Sequence, residues 1–263
     1  MTVAAVRLAE FEPVAPRTVD LAVDGLAACY AKRDPVFSGV SFTVGRGEAV
    51  ALVGANGAGK STLLKCLMGF VSPADGKVSI FGRDLSSLKS GELRQLRSGV
   101  GFVAQKHNLV PRLTALSNVV HGMLATSSGP RNWLQALAPA ESRRCALAAL
   151  DRVGLADFAL RRVDSLSGGQ SQRVAIARAL VAEPRLVLAD EPAASLDPTA
   201  GEEVMEVFAR VVRDTGATLI FTTHNLGHAL AHAERIVGLR GGKLALDAHT
   251  RGMVAARLRG LYD

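Results

Sequence analysis

The segment Gly54–Ser61, which reads Gly-Ala-Asn-Gly-Ala-Gly-Lys-Ser, limits the possible folds of this chain more than any other feature. It fits the pattern G-x-x-x-x-G-K-[ST], and it follows the apolar run Ala49–Val53 and precedes residues 60–69, whose apolar spacing is helical. A glycine-rich turn that merely caps a helix is the alternative, but the full pattern and both flanks favour a phosphate-binding loop. The segment therefore predicts a strand, a loop and a helix of an α/β domain that binds a nucleoside triphosphate.

The chemistry expected of this loop follows from its residue types. Glycines let the backbone approach closely, so that N–H groups point at phosphate oxygens, and the helix N-terminus adds a positive partial charge. Lys60 would bridge the β and γ phosphates, and the Ser61 hydroxyl would ligate Mg²⁺. The predicted nucleotide-binding residues of the loop are Gly54, Asn56, Gly57, Ala58, Gly59, Lys60, Ser61 and Thr62. The loop alone does not distinguish kinases, GTPases and ATPases.

Two adjacent carboxylates follow a second apolar run. Residues Leu186–Ala189 are typical of a buried strand, and Asp190 and Glu191 come directly after it. Open α/β sheets bind ligands at this carboxyl edge. We therefore expect Asp190 to hold Mg²⁺ through water and Glu191 to act as general base on the attacking water. An isolated pair of this kind would more simply cap the turn at Pro192, but the loop at Lys60 favours the catalytic interpretation.

Composition excludes several classes of protein. Of the 263 residues, 48% are apolar and 21% charged, which fits one globular domain rather than a disordered chain. The net charge of +7 comes from scattered residues, without the basic and aromatic runs of single-strand binders, so we expect no nucleic-acid partner. Polar residues interrupt both long uncharged stretches, which argues against a membrane span. The N-terminal residues lack the apolar run of a signal peptide.

Short β-like runs alternate with helical runs along most of the chain. Residues 1–18 show no clear periodicity, and we interpret them as an N-terminal extension that can be partly disordered. The predicted strands are 19–23, 40–44, 49–53, 77–81, 100–103, 186–189, 218–221, 236–239 and 243–246. The predicted helices are 60–69, 141–153, 170–182, 201–213 and 225–233. This alternation predicts an α/β fold with a mainly parallel sheet and helices on both faces.

A third motif, Leu-Ser-Gly-Gly-Gln at 166–170, identifies a family. Taken alone, Ser-Gly-Gly before an amphipathic helix is a common N-cap. Here Ser167 lies 23 residues before Asp190, and the three motifs together resemble the ATP-binding cassette (ABC) family from about Val19 nearly to the end of the chain. The resemblance implies an ABC-type P-loop ATPase domain over 19–263, with an antiparallel β subdomain and a helical signature subdomain at about 106–182. The expected ligands are ATP and Mg²⁺.

In that family the signature segment acts on the nucleotide of a second subunit. The resemblance therefore implies that Ser167, Gly168, Gly169 and Gln170 approach the γ-phosphate held by the other copy's loop, through backbone amides and a helix N-terminus. A site divided in this way implies a head-to-tail dimer that closes on ATP.

Other family positions match individual residues. Gln105 resembles the glutamine that reaches Mg²⁺ and the attacking water, although by itself it is a polar residue at a strand end. His224 resembles the switch histidine that bonds the γ-phosphate, although a lone histidine after a strand is more often structural. Asp197 resembles the aspartate that links the two sites, and it also suits a turn before Pro198. Tyr30 lies about where the family places a ring that stacks on adenine.

A transport ATPase and a non-transport ABC ATPase that acts on DNA or ribosomes are the two main hypotheses. The second kind carries a long coiled coil between half-cassettes or two cassettes in one chain. Here each motif occurs once, and the 107 residues from Lys60 to Ser167 contain no heptad run, which favours transport. A P-loop small-molecule kinase would leave Ser167, Glu191 and His224 unexplained. Exporters often fuse membrane helices to the cassette, so a chain without them favours an importer.

Finer features resemble the phosphonate importer ATPases. They are Asn108–Val110 with Arg112-Leu113 and Asn118-Val119, an insertion around 133–137, Ala193–Asp197 and the tail Leu261-Tyr262-Asp263. Two positions depart from that group: Lys106-His107 follows Gln105, and Asn225 follows the switch histidine where glutamine is frequent. Other small-solute importers remain an alternative. We expect the insertion at about 129–139 to contact the membrane subunit.

The resemblance also implies the partners and the location. We expect a second copy of this chain, integral membrane permease subunits and, indirectly, an extracytoplasmic solute-binding protein. The chain would then lie as a peripheral protein on the cytoplasmic face of the inner membrane. ATP would draw the dimer shut against each Ser167 segment, closure would pull the permease through residues 105–165, and hydrolysis from Glu191 would reopen it.

Overall fold

Two β-sheets organise the residues that the computed structural model describes, which are 18–30, 35–126 and 137–262. The strands are β1 Val19–Ala28, β2 Phe37–Gly45, β3 Ala49–Val53, β4 Asp75–Ile80, β5 Arg83–Asp84, β6 Val100–Val103, β7 Leu186–Ala189, β8 Thr218–Thr222, β9 Arg235–Arg240 and β10 Lys243–His249. The α-helices in these ranges are α1 Lys60–Leu67, α2 Ser90–Ser98, α3 Ala115–His121, α4 Ala140–Arg152, α5 Gly168–Leu180, α6 Pro198–Thr215, α7 Leu226–His232 and α8 Ala255–Leu258.

The larger sheet has the strand order β10-β9-β3-β8-β7-β6, and all pairs except β10 with β9 are parallel. Strands β7 and β8 are buried along their whole length, as expected for a parallel sheet covered on both faces. Successive side chains point to opposite faces: Ala51 belongs to one apolar core and Leu52 to the other. This sheet brings the carboxyl ends of β6, β7, β8 and β3 to one edge.

Different elements cover the two faces of this sheet. The antiparallel sheet β2-β1-β4-β5 and helix α1 cover the first, where Leu21 of β1, Leu52 of β3 and Leu64 of α1 share one apolar core. Helices α3 to α6 contribute to the second core, in which Phe208 of α6 packs with Phe221 of β8. The predicted α/β class, the mainly parallel sheet and the antiparallel β subdomain are confirmed.

Most predicted elements are present, with shifted ends. Helix α1 ends at Leu67 rather than at 69 because Gly69 adopts φ +64°, which ends the helix. Strand β4 ends before Phe81, whose φ of 53° leaves the extended region. Helix α5 begins at Gly168, two residues earlier than predicted, because Ser167 caps it. Helices α2, α3 and α8 and strand β5 were not predicted.

Three expectations concern residues outside the described ranges. The N-terminal extension 1–18 lies outside them except for its last residue, and so does most of the insertion at 129–139 with its Trp133. The helical subdomain at about 106–182 is only partly described, so its limits stay a prediction. In the ranges that are described, no helix has both the length and the apolar character needed to cross a membrane.

A buried carboxylate ties the two sheets together. Asp20 of β1 is fully buried, pairs with the Arg185 guanidinium, and accepts a hydrogen bond of 2.6 Å from Thr218 Oγ1 of β8. The guanidinium also lies 4.6 Å above the Phe81 ring. Removing the cation would leave a buried charge without its partner, which is strongly destabilising.

We therefore expect Arg185→Met to lower the free energy of unfolding by about 3 kcal/mol, measured by urea denaturation. The matched control is Arg162→Met, because Arg162 pairs with Asp164 and both side chains are exposed. That substitution should change stability by less than about 0.5 kcal/mol. Equal losses in the two variants would show that Asp20 does not depend on the cation.

Candidate functional site

The carboxyl ends of neighbouring parallel strands hold the site. Gly54 follows β3, Asp190 follows β7, His224 lies two residues after β8, and Gln105 lies two residues after β6. Since these four strands are contiguous in the sheet, residues far apart in sequence meet at one edge. A cleft of about 780 Å³ opens there, a size typical of small-molecule sites. The residues that line it are Val36, Ala55, Asn56, Gly57, Gly59, Lys60, Ser61, Thr62, Gln105, Glu191, Ala194, His224 and Tyr262.

The glycines at the two ends of the phosphate-binding loop are required by its shape. Gly54 has φ +148°, and a Cβ atom there would lie 2.3 Å from the backbone oxygen of Leu239 on β9. Gly59 has φ +98° and is the N-cap of α1, so the helix begins directly at Lys60. Other residues at either position would distort the turn from β3 into α1.

The Lys60 side chain crosses this loop. Its ammonium group donates to the backbone oxygens of Gly54 at 2.8 Å and Ala55 at 3.2 Å, and the residue is only 5% exposed. Burial lowers the pKa of Lys60, while the negative charges of Glu191 and Asp190 oppose that shift. The arrangement fixes a cation at the mouth of the loop, where it can meet phosphate oxygens.

Ser61, Asp190 and Thr222 form a connected hydroxyl and carboxylate group. The hydroxyls of Ser61 and Thr222 donate to Asp190 Oδ1 at 2.9 and 2.8 Å, and Asp190 is 7% exposed. Hydroxyl and carboxylate oxygens are the ligands that Mg²⁺ prefers in proteins. The donor set therefore fits Mg²⁺ beside the phosphates of a nucleotide.

Glu191 lies between Gln105 and His224. Its Oε2 atom is 3.4 Å from Gln105 Nε2 and 3.6 Å from His224 Nδ1. Its backbone adopts φ +47°, which a non-glycine residue rarely does, and its N–H donates to Thr222 Oγ1 at 2.8 Å. Strained conformations of this kind concentrate at functional sites, where the surrounding structure holds them. The geometry thus brings the three predicted catalytic side chains together.

Tyr30 lies beside the cleft rather than in its lining. Its hydroxyl is 3.3 Å from Thr62 Oγ1, and the residue is 45% exposed. An exposed ring next to the loop can stack on a base at low cost. Its stacking role stays a prediction.

The signature segment begins helix α5 away from this cleft. Ser167 Oγ accepts from the Gln170 backbone N–H at 3.2 Å, and the Gln170 side chain accepts from the Ser167 N–H at 3.0 Å, which completes a capping box. Ser167 and Gly168 are exposed, whereas Gly169 is buried. None of these residues lines the cleft around Lys60 of the same chain. The exposed helix N-terminus is free to approach a phosphate from outside.

Asp197 and Asn225 both act as helix caps. Asp197 accepts from the Ala200 N–H at 3.0 Å at the start of α6, and it borders a second, smaller cleft that is also lined by His224. Asn225 accepts from the N–H groups of Gly227 and His228 at the start of α7. The cap explains why asparagine is suitable after the histidine, since asparagine is among the best N-cap residues.

Sequence reasoning missed Thr222 and the position of Tyr262. Thr222 joins Asp190 to the Glu191 backbone, and a signal existed in the polar pair Thr222-Thr223 at the end of an apolar strand. In the sequence Tyr262 is only part of the tail Leu261-Tyr262-Asp263, yet it lines the cleft. No local pattern near Tyr262 points to a nucleotide.

Comparisons with known proteins cover most of the chain. The model of a family described as ABC transporter matches residues 37–194. The chain is 37% identical over 242 residues to a phosphonates import ATP-binding protein of Oceanobacillus iheyensis. The aligned region covers 92% of this chain and 95% of that protein. It is 47% identical over 224 residues to a phosphate-import ATP-binding protein of Mycolicibacterium smegmatis, which covers 85% of each.

Solved structures that resemble this chain are also ABC proteins. A dimeric ATP-binding cassette in a post-hydrolysis state, bound to ADP and Pi, superimposes with a TM-score of 0.76 at 33% identity and covers 89% of this chain and all of that one. A subunit of an ABC transporter complex from Clostridium perfringens superimposes with a TM-score of 0.78 at 27% identity and covers 89% of this chain and 90% of that one.

Proposed function

The chain belongs to the ABC transporter family as an ATP-hydrolysing subunit, and we propose that it powers the import of phosphonate or a related phosphorus oxyanion. The observation that carries the proposal is the 37–47% identity, over 85–92% of this chain, to relatives whose names state phosphonate or phosphate import. Both kinds of solute carry a phosphorus oxyanion, which is therefore the proposed substrate class.

The loop residues and the strand-end residues divide the work on ATP. The backbone N–H groups of the loop and the Lys60 ammonium hold the β and γ phosphates. Ser61, Gln105 and Asp190 would hold Mg²⁺, Asp190 through water. When bound, Mg²⁺ neutralises charge that develops on the phosphate oxygens. Glu191 accepts the proton of the attacking water, and His224 donates a hydrogen bond to the γ-phosphate. The 3.4 and 3.6 Å approaches of Gln105 and His224 to Glu191 support these roles.

The complete site is formed by two copies of the chain. Ser167 caps an exposed helix N-terminus that lies outside its own chain's cleft, which suits contact with a phosphate held by the partner subunit. The similar cassette bound to ADP and Pi is itself dimeric. An isolated chain should therefore be nearly inactive.

Helix α5 also holds the segment that follows Gln105. Arg178 donates to the backbone oxygens of Asn108 at 2.6 Å and His107 at 2.9 Å. Farther along, Asn118 accepts from the Val110 N–H at 2.8 Å. Arg178 joins helix α5 to this segment by these hydrogen bonds. A movement of the helix toward the partner subunit's nucleotide would therefore also displace residues 105–114. We assign these residues to coupling with the permease.

The partners follow from the transport function. Permease subunits in the membrane would bind the chain at residues 105–165, with a contribution from the insertion at 129–139. An extracytoplasmic binding protein would deliver the solute. The chain would then be peripheral on the cytoplasmic face of the inner membrane, and we propose no nucleic-acid partner.

Co-purification from membranes tests the proposal. We expect the tagged chain to retain a polytopic permease and an extracytoplasmic binding protein, and the isolated binding protein to bind methylphosphonate or phosphate but not sulfate. In proteoliposomes that hold the complex, the loaded binding protein should stimulate ATP hydrolysis several-fold.

Two outcomes would contradict different parts of the proposed function. A binding protein that prefers a solute without phosphorus would overturn the substrate class and leave the transport ATPase intact. Stimulation of hydrolysis by DNA or ribosomes, without any permease, would overturn transport itself.

A further inference from the structure

The segment 255–262 docks against the central sheet. Leu258 of α8 is fully buried, and Leu261, in the 3₁₀ turn Arg259–Leu261, is 7% exposed. Opposite Leu261 stands Gly238 of β9, where a Cβ atom would lie 2.7 Å from Leu261 Cδ1. A glycine in an inner strand thus makes room for Leu261. Because both leucines are anchored, the position of Tyr262 is fixed as well.

This docking places Tyr262 in the wall of the nucleotide cleft, with Lys60 and Glu191. Its backbone N–H donates to the Arg259 oxygen at 2.9 Å, which closes the turn. Its hydroxyl is buried, and its proton reaches no acceptor among the residues that the structure describes. Buried polar groups nearly always have their hydrogen-bond partners, so a phenol proton without an acceptor at a cleft wall requires an explanation.

The surroundings of the hydroxyl indicate what it lacks. The pKa of Tyr262 is raised, first by burial and also by the negative charge of Glu191, whereas the backbone N–H of Gly54 lowers it. An N–H group faces the lone pairs of a phenol oxygen, and the phenol's own proton therefore still needs an acceptor.

The Glu191 carboxylate has room for a stronger donor. Its Oε2 atom faces Gln105 Nε2 at 3.4 Å and His224 Nδ1 at 3.6 Å, and both distances are longer than those of ordinary hydrogen bonds to a charged group. A buried phenol without an acceptor and a carboxylate held only by long contacts therefore border the same cleft.

We propose that Tyr262 is a positioning residue of this site, whose hydroxyl donates a hydrogen bond to the Glu191 carboxylate when the cleft closes around nucleotide. The inference rests on the role proposed above for Glu191 as general base. The bond would hold one carboxylate oxygen and so orient the other toward the attacking water, and the phenol would keep its proton throughout. Docking of residues 255–262 would in this way complete the catalytic site.

Kinetics of Tyr262→Phe test the proposal, because this variant loses only the hydroxyl. We expect kcat for ATP to fall about tenfold with KM within twofold, since a hydrogen bond to a charged group is lost at the step where Glu191 acts. The matched control is Gly260→Ala in the same turn, where a Cβ atom meets open space, and its kcat should be unchanged. A kcat for Tyr262→Phe within twofold of the control, or a loss confined to KM, would overturn the proposal.

A second measurement reads the hydroxyl directly. The chain contains two tyrosines, so a sample labelled with 3-fluorotyrosine gives two ¹⁹F resonances, which Tyr262→Phe assigns. A non-hydrolysable ATP analogue with Mg²⁺ should shift the Tyr262 resonance, and Glu191→Ala should reduce that shift to less than half. An equal shift in both samples would show that Glu191 is not the acceptor.

Glu191→Gln distinguishes an error in the role of Glu191 from an error in the role of Tyr262. If that variant hydrolyses ATP normally, the role of Glu191 as base is wrong, and the positioning role of Tyr262 falls with it. If it is inactive while Tyr262→Phe is normal, only the role of Tyr262 is wrong.

Discussion

Glu191→Gln should bind ATP, accumulate a closed dimer and lower kcat at least about 100-fold, the range over which general bases contribute. Glutamine has the same shape, so the approaches of Gln105 and His224 to this position can persist. It cannot accept the proton of the attacking water, so the hydrolysis step slows. It also removes a negative charge beside the γ-phosphate, which should favour the ATP-bound state. Phosphate release and light scattering with ATP measure the two effects.

The control for this variant is Glu206→Gln, an exposed glutamate of α6 that is absent from the cleft lining. It should hydrolyse ATP at the normal rate and dimerise only transiently. Normal turnover by Glu191→Gln would mean that another group accepts the proton. Loss of ATP binding by that variant would instead mean that the carboxylate holds the nucleotide.

The central sheet could be predicted from the sequence because its strands are short apolar runs bounded by loop residues. Helix α2 could not, since its sequence Ser-Gly-Glu-Leu-Arg-Gln-Leu-Arg-Ser contains two apolar residues and buries only Leu96. Helix α3 could not be predicted for the opposite reason. Six of its seven residues, Ala115 to Val120, are buried, so no polar face marks a period. Helical periodicity identifies helices that are buried on one face only. Helix α2 buries a single residue and helix α3 buries nearly all of its residues, so neither shows that pattern.

The site was predictable where strand ends alone determine it. Once β3, β7 and β8 are recognised as parallel strands, Gly54, Asp190 and His224 must lie at one edge. The hydrogen bonds of Thr222 and the place of Tyr262 depend on tertiary packing instead. Tyr262 reaches the cleft only because Leu261 fits over Gly238, a contact between residues that no local pattern connects.

Lys60→Ala should lose nucleotide binding itself, with an affinity for ATP at least about 30-fold lower. The side chain is 5% exposed, and it supplies the one ammonium group that lines the described cleft. It also links the two backbone oxygens of Gly54 and Ala55, so its removal would loosen the loop as well. The two effects act in the same direction. Isothermal titration calorimetry with ATP and Mg²⁺ measures the loss.

Lys65→Ala provides the matched control, because Lys65 lies on the same helix α1 with its side chain exposed and away from the cleft. It should bind ATP like the unmodified chain, which would exclude an effect of charge or helix propensity alone. Thermal unfolding without nucleotide measures how much each variant is destabilised by itself, and added ATP should raise the melting temperature of Lys65→Ala only. If Lys60→Ala bound ATP within threefold of the control, the phosphates would be held by the loop amides rather than by the cation.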